Sequence, residues 1–114
     1  MRQLNQEEKQ KLAAIAIEKK CDELKKLLLE KNEAYGNSAF EPVRCFSKSD
    51  PKELIRVRMD DKVSRLMRGS NAGEDVFWDL AGYAVLERAY DEYHSLVEKS
   101  IAGLEKYAEE THKD

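Results

Sequence analysis

Residues 58–86 read RMDDKVSRLMRGSNAGEDVFWDLAGYAVL: a charged segment, a turn rich in Gly, Ser and Asn, and a segment that is nearly all apolar. Charges at three- and four-residue spacing in the first part (Arg58, Asp61, Arg65, Arg68) line one face of a helix. In the second part, residues 76–86 carry a single charge, Asp79. A helix that is apolar on every side is expected to be buried. A carboxylate within it must then be paired, protonated or bound to a cation. The stretch therefore predicts an antiparallel helix pair on which Asp61 and Asp79 converge among Lys and Arg side chains.

Outward from this stretch the punctuation is helical. Before it, Asp50-Pro51-Lys52-Glu53 supplies an N-cap, a proline at the first helical position and an acid at the third. Ile55, Met59, Val63 and Leu66 then form the expected core stripe. Asn71 and Glu74 have the spacing of a capping box, which starts the next helix near Ala72. Along that helix Asp75, Asp79, Gly82, Tyr83 and Leu86 share a face, and Phe77 and Trp78 are expected in the core. Gly82 in mid-helix costs about 1 kcal/mol relative to Ala, so its expected use is close approach by a ligand or a second helix. The apolar positions Leu86, Tyr90, Tyr93, Val97, Ile101, Leu104 and Ala108 prolong the pattern, as one helix or as two with a bend after Glu92. A continuous helix of that length would span about 54 Å, more than the rest of the chain can cover, which predicts a partner subunit. Residues 109–114 are expected to fray.

Toward the N-terminus, Asn5 and Glu8 form a capping box for a first helix. Its stripe is Ala13, Ile17, Cys21, Leu24, Leu28 and Tyr35, and Gly36 stops it. Lys31 falls within the stripe, either snorkelling from the edge of the core or aiming its ammonium at an anion. Residues 37–49 (NSAFEPVRCFSKS) have no period and are expected to be an ordered loop pinned by Phe40, Val43 and Phe46. Arg44 and Lys48 in this loop are either solvated charges or phosphate contacts.

With 114 residues, the chain is expected to be one all-α domain spanning 1–114, an antiparallel bundle of three to four helices with a long C-terminal helix. Charged residues make up 38% of it, yet the net charge is only −3, which gives bulk electrostatics no reason to favour nucleic acid. Cys21 and Cys45 have no metal-ligand spacing and are expected to be reduced thiols. His94 and His112 read as surface residues. No signal core precedes the first helix and no apolar run is long enough to span a bilayer. A cytoplasmic protein is expected, in a bacterium or a phage-infected host.

Carboxylates on adjacent helices with Lys and Arg beside them suit a hard cation and a polyphosphate. Magnesium is often held by one or two carboxylates, waters and substrate phosphates, and basic side chains neutralise the phosphates. No Ser-His-Asp or Cys-His arrangement, phosphate loop, GxGxxG or HExxH competes with that reading.

Three segments carry a resemblance. Lys31-Asn32-Glu33-Ala34-Tyr35-Gly36, Arg58-Met59-Asp60-Asp61-Lys62-Val63-Ser64-Arg65 and Glu74 through Asp79-Leu80-Ala81-Gly82-Tyr83 resemble the Lys-x-x-x-Tyr-Gly, Arg-x-x-Asp-Lys-x-x-Arg and Glu-x-x-x-x-Asp-Leu-x-x-Tyr elements of the nucleotide modification associated domain 1 family, found in phages and their hosts. More distantly, the arrangement looks like the all-α nucleoside triphosphate pyrophosphatases of the MazG type, with Arg58 standing where their first acid is expected and the second acidic pair stretched to Glu74 and Asp79. The resemblance implies an oligomeric α-helical fold and a Mg2+ site. It implies Asp61, Glu74 and Asp79 as metal-binding and catalytic residues, and Lys31, Tyr35, Arg58, Lys62, Arg65 and Tyr83 around the nucleotide. Three functions follow: a magnesium-dependent (d)NTP pyrophosphohydrolase, a nucleotide-binding module without turnover, or a small phage interaction protein that docks through its C-terminal helix.

Overall fold

Residues 2–111 are described by the structure, a computed structural model. Three helices account for most of them: α1 (Gln6–Ala34), α2 (Pro51–Met67) and α3 (Val76–Thr111). The all-α expectation holds. The chain divides into two compact units, Met1–Asn37 and Ser38–Asp114.

The first unit is α1. Asn5 Oδ1 accepts from the Glu8 N–H at 2.8 Å, and Glu8 Oε1 accepts from the Asn5 N–H at 3.1 Å, the reciprocal capping box its sequence encodes. At the other end the Asn37 N–H donates to the Asn32 carbonyl at 3.1 Å, closing the helix around Gly36 as expected. No residue of α1 is buried. Leu24 and Leu28 of its stripe are half-buried, while Ala13, Ile17, Cys21 and Tyr35 are exposed.

The second unit is a helical hairpin with a loop laid on it. Asp50 caps α2 by accepting from the Lys52 N–H at 2.7 Å, with Pro51 next in line. Ion pairs set the hairpin's register. Lys52 meets Asp91, Arg56 meets Glu87 and Lys62 meets Asp79, so α2 runs antiparallel along the first half of α3. Its buried apolar side chains are Ile55, near the Arg56–Glu87 level, and Val76, at the turn end. Gly82 is buried as well, at a level between the Lys62–Asp79 and Arg56–Glu87 pairs, as expected for a glycine that admits a second helix.

α3 is one continuous helix of 36 residues, the unbent alternative. Residues 109–111 of the expected tail belong to it. The remainder of the expected tail, with His112, lies outside the described residues.

The hairpin buries less than the apolar pattern predicts. Val63 and Leu66 of the α2 stripe are exposed and Met59 is half-buried. Phe77 is exposed and Trp78 half-buried. Within its own unit α3 has one helical neighbour, which buries one face only however apolar the others are, and the expectation of an enclosed α3 is not met there.

In the loop, Phe40 stacks on Tyr93 with ring centroids 4.9 Å apart and tilts against Tyr90 at 6.1 Å. The Tyr93 hydroxyl donates to Glu41 Oε1 at 2.8 Å. Phe40 is thus the pin, whereas Val43 is exposed and Phe46 is 99% exposed. Arg44 spans the loop, donating to the Lys48 and Ser49 carbonyls at 3.3 and 2.9 Å. Cys21 and Cys45 are free thiols. Among the described residues no helix is long and apolar enough to cross a membrane.

Candidate functional site

The connection between α2 and α3 builds the site. α2 ends with the Ser70 N–H on the Arg65 carbonyl at 3.0 Å, wrapped around Gly69 at φ +66°. A tight turn follows, with the Glu74 N–H on the Asn71 carbonyl at 3.0 Å and Gly73 at φ +78°. Both glycines occupy the left-handed region, where a side chain would be strained. The two reversals turn the chain back toward α2 and deliver Glu74 to its last turns.

Glu74 is not the third residue of a capping box, and α3 does not start near Ala72. Asp75 caps the helix instead, accepting from the Trp78 N–H at 3.0 Å, and Val76 is its first residue. Asn71, the cap that the capping-box spacing implied, instead takes the Glu74 N–H on its carbonyl within the turn, and the capping role passes to Asp75. Glu74 is thereby released for long-range contacts.

Its two oxygens take two cations. Oε2 accepts from Lys62 Nζ at 2.9 Å and Oε1 from Arg65 Nη1 at 2.7 Å. Lys62 also lies 3.2 Å from Asp79 Oδ2, and Arg65 Nη2 lies 3.0 Å from Asp61 Oδ2. Three carboxylates and two cations thus form one connected network, in the order Asp79, Lys62, Glu74, Arg65, Asp61. Lys62 is its most shielded member, with a side chain 15% exposed. The hydrogen bond from Lys62 is the main cause that holds the Glu74 carboxyl below its ordinary pKa, against a smaller opposing effect of burial. The reciprocal bonds, that to Glu74 first and that to Asp79 second, raise the Lys62 ammonium above its own.

Asp79 is not the buried carboxylate that the apolar stretch implied, since its side chain is 33% exposed. Asp61 is more open still, and Arg65 is its only ion-pair partner among the described residues. Arg58 is exposed and makes no ion pair among the described residues. Tyr83 is half-buried, one turn beyond Asp79. Lys31 and Tyr35 belong to the other compact unit, and both are exposed.

A second charged ladder runs toward the far end of α2. Lys52 bridges Asp91 at 2.9 Å and Glu87 at 3.4 Å, and Arg56 bridges Glu53 at 2.8 Å and Glu87 at 3.0 Å. Burial pushes the Glu87 carboxyl up, but the hydrogen bonds from Arg56 and Lys52 outweigh it and the net shift is downward. The bond to Asp91 is the main cause that raises Lys52. Sequence reasoning did not single out this ladder. Counting residue pairs outward from the 69–73 turn of an antiparallel hairpin would have found it.

The donor set decides which metal chemistry fits. Among the described residues, no three His, Cys, Asp or Glu side chains are gathered closely enough to hold an ion. Glu74 and Asp79 do meet at a single ammonium. Two carboxylates suffice for magnesium that keeps its waters and arrives bound to phosphate, but they make no cage for a metal held by protein alone. Set against family models, curated proteins and solved structures, the chain matches none.

Proposed function

We propose that the α2–α3 hairpin binds a magnesium complex of a nucleoside or deoxynucleoside triphosphate. The observation that carries the reading is the convergence of Lys62, Arg65, Glu74, Asp79 and Asp61 on one network at the turn end of the hairpin. Such a network is matched to a ligand that is itself an ion pair. Lys62 and Arg65 exchange Glu74 for phosphate oxygens, and the released Glu74 and Asp79 turn to the accompanying cation. Every charge keeps a partner through the exchange, so no desolvated ion is left alone. Arg58, on the turn before Asp61 and Lys62, is available for a further phosphate. The motif resemblance at these residues supports the same ligand class. Magnesium, when bound, neutralises phosphate charge and acidifies coordinated water, and hydrolysis of the triphosphate is the reaction class such a site serves.

A second reading, binding without turnover, is favoured by one observation. Asp61 is engaged by Arg65, and Arg58 stands three residues before it where the pyrophosphatase pattern has an acid. Incubation with a nucleotide panel and magnesium, resolved by chromatography, separates the two. Monophosphate and pyrophosphate support the hydrolase. Unchanged nucleotide, with a melting temperature raised by nucleotide and magnesium together, supports the binding module. Absence of both effects refutes the site. Assembly belongs to the proposal too: we place the chain in a homo-oligomer in which a helical bundle is completed between copies.

A further inference from the structure

Two carboxylates of the hairpin are held in the same way. Glu74 takes Lys62 at 2.9 Å and Arg65 at 2.7 Å, and Glu87 takes Lys52 at 3.4 Å and Arg56 at 3.0 Å. Each sits between a lysine and an arginine of α2. The backbones behind them differ. Glu87 lies within α3, with helix on both sides of it. Glu74 lies outside both helices, after Met67 and before Val76, and directly follows Gly73 at φ +78°. Open space lies beside Gly69 and Gly73. Glu74 can therefore leave its cations by rotation within the connection, whereas Glu87 would have to unwind α3.

A carboxylate between a lysine and an arginine has the form of a bound phosphate, with two oxygens of one anion on two separate cations. Any phosphate that enters between Lys62 and Arg65 must displace Glu74. That competitor is tethered nine residues from Arg65, and a short tether gives an effective concentration on the order of millimolar. Charge balance opposes the exchange further. Asp61, Glu74 and Asp79 already outnumber Lys62 and Arg65. A phosphate without a cation takes both partners of Glu74 and strands it beside Asp79, with which it shares Lys62. Like charges brought that close disfavour each other. A phosphate that carries magnesium gives the displaced carboxylates a cation to face. Bare magnesium has the opposite deficiency, since Glu74 must then abandon Lys62 and Arg65 with no anion to replace it.

We propose that Glu74 is the specificity-determining residue of the site: as an internal anion it excludes phosphates that carry no divalent cation, and it yields to magnesium and phosphate arriving together. The inference rests on the magnesium-nucleotide reading and adds a coupling to it, in which each ligand strengthens the other by the same factor.

The test is calorimetric titration of the full chain with inorganic pyrophosphate, in EDTA and in magnesium. The proteins are wild type, Glu74→Gln, Glu87→Gln and Glu74→Gln combined with Arg65→Ala. Wild type should bind pyrophosphate about tenfold or more tightly with magnesium than in EDTA. Glu74→Gln keeps the shape and removes the charge, and it should bind pyrophosphate in EDTA about tenfold or more tightly than wild type. The advantage conferred by magnesium should shrink accordingly. Adding Arg65→Ala should abolish the gain, and Glu87→Gln should behave as wild type. An equal gain in Glu87→Gln overturns the inference in favour of a general charge effect. Equal wild-type affinity in EDTA and in magnesium overturns it without recourse to any variant. Metal-free affinity that is unchanged or weaker in Glu74→Gln, in a wild type that still binds ATP with magnesium, overturns the role of Glu74 and leaves the nucleotide reading standing. No binding of pyrophosphate or ATP by any of the four proteins overturns both.

Discussion

Asp79→Asn removes one charge from the network while keeping the side chain's shape. Asp79 makes one ion pair, 3.2 Å to Lys62, and its side chain is one-third exposed. Lys62 keeps its shorter bond to Glu74 after the substitution. The relevant scale is therefore the about 0.2–1 kcal/mol of a solvent-screened pair, not the about 3–5 kcal/mol of a buried charge left without its partner. Taking about 0.5 kcal/mol, the melting temperature in EDTA should fall by about 2–4 °C for a unit of this size. The binding effect should be larger. If Asp79 faces the cation of a magnesium nucleotide, loss of that charged contact, about 1.5–3 kcal/mol, weakens affinity about tenfold to a hundredfold. The assay is thermal melting of wild type and variant in EDTA, in magnesium, in nucleotide, and in both together. Wild type should respond to magnesium and nucleotide together far more than to magnesium alone, because the described carboxylates form no protein-only cage. A variant that melts more than about 10 °C lower in EDTA, well beyond the screened-pair range, would make Asp79 a structural anchor and refute the exposure argument. Wild-type nucleotide affinity in the variant would refute the role of Asp79 in binding.

Arg65→Ala should weaken nucleotide binding about tenfold or more, the scale of a lost charged hydrogen bond, whereas Arg56→Ala, in the other ladder, should leave it unchanged; equal effects would mean that only overall charge matters. The network should weaken at both pH extremes. Glu74 has a depressed pKa, so its contribution is present above the unfolded value near 4.3 and is lost as pH falls through the folded one. Lys62 has a raised pKa, so its contribution is complete below about 10.4 and is lost as pH rises through the folded value. Lys62→Met should flatten both limbs of the melting-temperature profile, and an unchanged acid limb would contradict the Lys62–Glu74 bond. Ile55→Ala should cost about 2–4 kcal/mol in denaturant unfolding, because Ile55 is the most completely buried side chain of the hairpin; a loss below about 1 kcal/mol would mean that the site collapses around the gap. Phe40→Ala should release the loop from Tyr90 and Tyr93, raising amide exchange across residues 38–50 while leaving α2 protected.

Much of the secondary structure could be read locally, and the reason is chemical. Asn5 with Glu8, and Asp50 with Pro51, state helix starts within four residues, and Gly36 states a helix end, because capping depends on near neighbours. The apolar repeat likewise ran on to Ala108, and the structure chose the one continuous helix over the bent pair. The candidate network was legible as a set of residues, since Asp61, Lys62, Arg65, Glu74 and Asp79 all stood out from the pattern. Their pairing was not legible. The spacing of Asn71 and Glu74 reads as a capping box, and only the reversal at Gly73 gives the cap to Asp75 and sends Glu74 to Lys62 and Arg65. Nor could the sequence reveal that Asp79 remains one-third exposed. Periodicity records which faces are apolar, but burial depends on how many elements arrive to cover them, and in this chain α2 covers only the first half of α3. Local chemistry set the helices and their ends; the partners of each charge, and the faces left open, were decided by which segments the two turns brought together in space.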